Sequence, residues 1–107
     1  MSTPLNLFVK AVIKGKGLAK RPGMTRDGRL VLSLLVSIDG VDYELNLVTK
    51  PGEDPQRLAE YLVKIGIVAK DGNEFTILVP TWSLTKAKNN VIWVHIEDYE
   101  RLKGTST

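Results

Sequence analysis

The sequence predicts an all-β domain with one helix: five antiparallel strands, with the helix between the third and the fourth. Three observations carry this expectation. Several segments alternate apolar and polar residues with a period of two, the mark of a strand that buries one face. Asp39-Gly40 joins two of these segments through the strongest short hairpin signal a sequence offers. A single stretch near the middle switches to helical spacing. At 107 residues the chain has room for one core, so residues 1–107 are expected to form one domain with 103–107 as a tail.

The first strand is expected over Leu5–Lys14. Leu5, Leu7, Val9, Ala11 and Ile13 share one face, and Asn6, Phe8, Lys10, Val12 and Lys14 the other. Phe8 on that second face either stacks a ligand beside the lysines or packs under a loop. Residues 15–28 then read as a long loop, because no regular element tolerates so many glycines and prolines. The loop carries Lys16, Lys20, Arg21 and Arg26 against one acid, Asp27. Loops beyond about 12 residues without secondary structure are usually functional or disordered.

The second strand spans Arg29–Ile38, and the third returns from the Asp39-Gly40 turn over Val41–Thr49. Asp54 then offers a helix N-cap, and Pro55 suits the first helical position. Leu58, Tyr61, Leu62 and Ile65 fall on one helical face, and Gly66 is the expected stop, giving a helix over 55–65. After a turn at 70–73, the fourth extended segment is Glu74–Leu84, in which Pro80 requires an edge position or a bulge. A second basic loop, 85–90, carries Lys86 and Lys88. The fifth strand spans Val91–Tyr99, with Trp93, His95, Glu97 and Tyr99 on one face. A hairpin closing through 85–90 would set Trp82 opposite Trp93.

Composition narrows the function. The chain has no cysteine and one histidine, which leaves no disulfide framework, no thiolate site and no cysteine nucleophile. No catalytic constellation, phosphate-binding glycine loop or nucleophile elbow is present. Neither an enzyme, a metal site nor a cofactor is expected. No apolar run approaches the roughly 18 residues of a membrane span, and no leader is evident, so a soluble cytoplasmic protein is expected, in the host cytoplasm if viral. Charge is unevenly spread. Residues 1–30 hold seven bases and one acid, a net +6, whereas the other 77 hold eight bases and eleven acids, a net −3. Such asymmetry points to a polyanion or an acidic partner.

The order strand, long loop, strand, hairpin, strand, helix, strand, loop, strand resembles the oligonucleotide/oligosaccharide-binding (OB) fold across residues 5–102. Within that class it is similar to the single-stranded DNA-binding proteins of bacteria and phages and to small primosomal proteins. The resemblance implies a closed five-stranded barrel. Its ligand would lie across the second and third strands, between the loop joining strands one and two and the loop joining strands four and five. Those are the two basic loops. The implied function is sequence-independent binding of single-stranded DNA in replication, recombination or repair, commonly as a homodimer or higher homo-oligomer. A viral or plasmid origin fits, although the ending RLKGTST lacks the acidic tip of the bacterial proteins. The residues expected to meet the strand are Phe8, Lys10, Lys14, Lys16, Lys20, Arg21, Arg26, Arg29, Trp82, Lys86, Lys88 and Trp93. Rings would stack bases while cations meet phosphates. Core packing is the competing role for each tryptophan. RNA is an equal candidate, and the alternative function is a small module that docks an acidic protein in a replication or virion assembly. Val31, Leu35 and Val48, on the polar faces of their strands, suggest an oligomer surface.

Overall fold

The computed structural model describes residues 8–15, 21–52 and 54–103, without the side chains of Arg21, Pro22 and Lys103. The chain runs β1 (Phe8–Ile13), β2 (Arg21–Met24), β3 (Arg29–Ile38), β4 (Val41–Pro51), α1 (Pro55–Lys64), β5 (Val68–Asp71), β6 (Glu74–Pro80), α2 (Thr81–Thr85), β7 (Val91–His95) and α3 (Ile96–Lys103). The strands form one mixed sheet in the order β5-β6-β1-β3-β4-β7, with β2 also paired to β3. Leu5–Leu7 of the expected first strand lie outside the described residues.

This corrects the expected all-β, five-stranded antiparallel barrel with one helix. The sheet has seven strands, and its path ends at β5 and β7 without closing. One pair, β4 with β7, is parallel. Among the described residues three helices stand where one was expected. The hairpin that would have set Trp82 opposite Trp93 does not form: Trp82 lies in α2, and β7 pairs with β4 instead.

The elements with the strongest local chemistry fall where the sequence puts them. Asp39 (φ 51°) and Gly40 (φ 80°) both take the left-handed region that a two-residue primed turn requires. That turn pairs Ile38 with Val41 and, counting back, Leu34 with Leu45, Ser33 with Asn46 and Val31 with Val48. Asp54 caps α1, its side chain accepting from the Gln56 amide at 3.0 Å. At the other end Gly66 (φ 83°) closes a Schellman motif. The Ile67 amide reaches the Leu62 carbonyl at 2.9 Å, and the Gly66 amide reaches Val63 at 3.1 Å.

The basic stretch 15–28 is not one loop. Residues 21–24 pair with β3 despite Pro22 and Gly23, which β2 tolerates because it has a single partner strand. Thr25–Gly28 forms the connecting turn, with Gly28 at φ 84°.

One face of β3, β4 and β7 builds the core. Leu32, Leu34 and Val36 of β3, Leu45 and Leu47 of β4, and Ile92 and Val94 of β7 are sealed there. α1 adds Leu58 and Leu62, and α3 adds Ile96 and Tyr99. No helix among the described residues is long and apolar enough to cross a membrane.

Candidate nucleic-acid interface

The opposite face of β3, β4 and β7 is the candidate site. Register places three rows across it. Leu35, Glu44 and Val91 form the first, Ser33, Asn46 and Trp93 the second, and Val31, Val48 and His95 the third. The backbone of Arg21 pairs beside Ser33 and extends the middle row onto β2.

Trp93 is the dominant group of this face. Its neighbours Ile92 and Val94 are sealed in the core, so strand alternation turns the indole outward, where it is 55% exposed. On the strands beside it the polar side chains are fixed. Ser33 Oγ donates to Asn46 Oδ1 at 2.6 Å, and Asn46 Nδ2 donates to Glu44 Oε2 at 3.1 Å. Asn46 is almost fully buried, yet both ends of its amide are satisfied, so the row is rigid. Val31 and Val48 are also buried on this face rather than exposed, contrary to their expected role as an oligomer surface. Of that trio only Leu35 is exposed.

The described flanks of the two basic loops meet at one residue. Lys14, leaving β1, binds the Asp42 carboxylate at 3.0 and 3.1 Å. Asn90, ending the 85–90 segment, donates its side-chain amide to the Asp42 carbonyl at 3.1 Å. The Asn90 carbonyl in turn accepts from the Glu44 amide at 2.9 Å. Asn89 and Asn90 hold the left-handed backbone, at φ 56° and 59°, that turns the chain into β7. Both loops therefore start or end at the Asp42 end of β4, one or two residue steps from the Glu44 row.

The twelve expected contact residues divide sharply. Trp93 is exposed on this face, and Lys88 is exposed in the segment that leads into β7. Trp82 and Lys86 stand together on and just after α2, with the ammonium 5.5 Å from the indole centroid. Arg26 is exposed in the turn before β3, at the end of that strand opposite Asp42. Lys10 lines a separate cavity of about 420 Å³ together with residues of β5 and β6. Phe8 stacks on Tyr99, with ring centroids 6.3 Å apart and planes 14° apart, and packs against the core. Lys14 is tied up by Asp42. Arg29 is held by three groups: Asp27, Glu97 and the Thr49 carbonyl, each at 3.1 Å. Lys16 and Lys20 lie outside the described residues, and so does the side chain of Arg21.

These ion pairs shift their carboxylates. Asp27 is held below its ordinary range, chiefly by the hydrogen bond from Thr25 and then by Arg29, against some desolvation. At Glu97 burial acts to raise the pKa. It is outweighed by a hydrogen bond from the backbone and by the Arg29 guanidinium, so the net shift is downward.

Sequence reasoning missed the Ser33–Asn46–Glu44 hydrogen-bond chain beside Trp93. The signal was available, because a two-residue turn at Asp39-Gly40 fixes which residues of β3 and β4 stand opposite each other. No group of acids and histidine among the described residues has metal-ligand geometry. Set beside known proteins, the chain matches no family model, no curated protein and no solved structure.

Proposed function

We propose that this chain binds single-stranded nucleic acid without base specificity, on the face of β3, β4 and β7 that carries Trp93. The carrying observation is the placement of that indole. It is more than half exposed, stands beside a hydrogen-bonded polar chain on the neighbouring strands, and lies near the end where both basic segments meet. A ring held out on a stiff strand stacks any base, since every base has a π-face, and cations alongside follow the phosphates. Asn46 and Ser33 have little hydrogen-bonding capacity left to read base edges, which favours sequence tolerance. The reading places the protein in the cytoplasm, in replication, recombination or repair. Away from Trp93, the exposed large apolar residues among those described, Met24, Leu35, Val41 and Val63, are available to a second copy.

Anisotropy of a labelled oligonucleotide of about 30 bases tests this. Binding is expected at micromolar protein near 50 mM salt and is expected to weaken steeply as salt rises. Trp93→Ala is expected to weaken binding about 5- to 150-fold, the equivalent of one stacked base. No binding at low salt would refute the proposal and leave a protein-docking module in its place. DNA and RNA oligomers of the same sequence, run side by side, separate the two polymers through the 2′-hydroxyl.

A further inference from the structure

A second aromatic–cationic place lies away from the sheet face. Trp82, Lys86, Asp98, Arg101 and Leu102 line an open pocket of about 330 Å³ between α2 and α3. That volume falls within the range of about 300–1,000 Å³ common for small-molecule sites. Pro80 ends β6 and starts α2, so the chain turns at Thr81 and brings Trp82 to the pocket instead of continuing the strand. Ser83 Oγ fixes the turn by donating to the Pro80 carbonyl at 2.6 Å.

The charges around the pocket favour an anion. The other acids of α3 are engaged elsewhere: Glu97 with Arg29, and Glu100 with Lys50 and Tyr61. Asp98 accepts from the His95 amide at 3.0 Å and from Arg101 at 2.9 Å, so its charge is offset within the pocket. Lys86 rests against the indole at 5.5 Å, a cation and a π-face at one spot. Two cations against one acid leave the pocket net positive, with a ring in its wall.

We infer that this pocket is a second nucleic-acid subsite, taking one nucleotide unit with its base against Trp82 and its phosphate between Lys86 and Arg101. This rests on the reading of the Trp93 face as the primary contact. The subsite extends the bound length of strand beyond that face, so it matters for long oligomers and little for short ones. Arg101 has 73% of its side chain exposed, and its fork is free to add a phosphate to its bond with Asp98.

The chain has only two tryptophans, so each can be made the sole reporter. In Trp93→Phe, the emission comes from Trp82, and titration with poly(dT) is expected to quench it. In Trp82→Phe, the emission reports Trp93. Lys86→Gln with Arg101→Gln alters two surface side chains and is expected to make the dependence of log affinity on log salt shallower by about 0.7 per lost phosphate contact on a long oligomer. Quenching of Trp93 with steady Trp82 emission at saturation overturns the subsite and leaves the primary reading standing. Steady emission from both, with no anisotropy change, sinks the primary reading and this one with it.

Discussion

Tyr99 meets two requirements with one side chain. Its ring is fully buried and stacks on Phe8, while its hydroxyl donates to the Leu78 carbonyl at 2.7 Å. Burial, helped by the nearby Asp98 charge, pushes the phenol far above its ordinary value. The folded state therefore holds this proton more tightly than the unfolded chain does. That contribution to stability is complete below the unfolded pKa and is lost as pH rises past about 10. Tyrosinate absorbance should then show the Tyr99 phenol ionising only as the fold melts. Tyr99→Phe removes the hydrogen bond but keeps the ring and is expected to lower stability by about 1 kcal/mol in urea unfolding. An unchanged midpoint would show that the hydroxyl bond contributes nothing net. Trp93 is the counter-case at this scale. Alternation on its strand predicts an outward indole, and the structure leaves it outward. Phe8 follows no such rule, because the ring that covers it comes from a helix that strand alternation does not anticipate.

At the scale of elements, α3 shows where sequence reading stops. Residues 91–99 alternate well enough to read as one strand, yet the chain turns helical at Ile96. Ile96 and Tyr99 then share a buried side through a spacing of three instead of lying on opposite faces of a strand. The start carries half of a capping box, since the Asp98 carboxylate reaches back to the His95 amide. Histidine at the cap position hides that signature from a search for Ser or Thr. A similar ambiguity covers α2: five residues are too few to tell a period of two from one of 3.6. By contrast α1 was legible, because Asp54, Pro55 and Gly66 state its two ends chemically. Asp98→Ala is expected to destabilise the protein by about 1 kcal/mol and to loosen α3 first, seen as faster amide exchange over 96–103. Uniform acceleration across the molecule would mean that α3 has no stability of its own to lose. The acid side follows from the ion pairs. Asp27 and Glu97 both titrate below their ordinary ranges when folded, so their contribution is present above about pH 4.5 and is lost as pH falls further. Glu97→Gln with Asp27→Asn should flatten that acid limb of the stability profile.

For the whole molecule, the question is which positive charges remain free to meet a strand. The sequence shows an excess at the N-terminal end but cannot show which bases already have partners, because pairing depends on register across the sheet. Lys14 and Arg29 are both spent internally, one at each end of the β3–β4 pair. Among the described residues no ion pair holds Lys86 or Lys88, and Arg101 on α3, though paired with Asp98, keeps 73% of its side chain exposed. Salt dependence counts this difference directly, since each phosphate neutralised on a single strand contributes about −0.7 to the slope of log affinity against log salt. Lys88→Gln is expected to remove close to one such increment. Lys14→Gln combined with Asp42→Asn deletes a pair of opposite charges and is expected to leave the slope where it was. Equal losses from the two variants would mean that Lys14 abandons Asp42 when the strand binds. The contact surface would then follow the N-terminal charge excess in the sequence instead of the side chains that the fold leaves free.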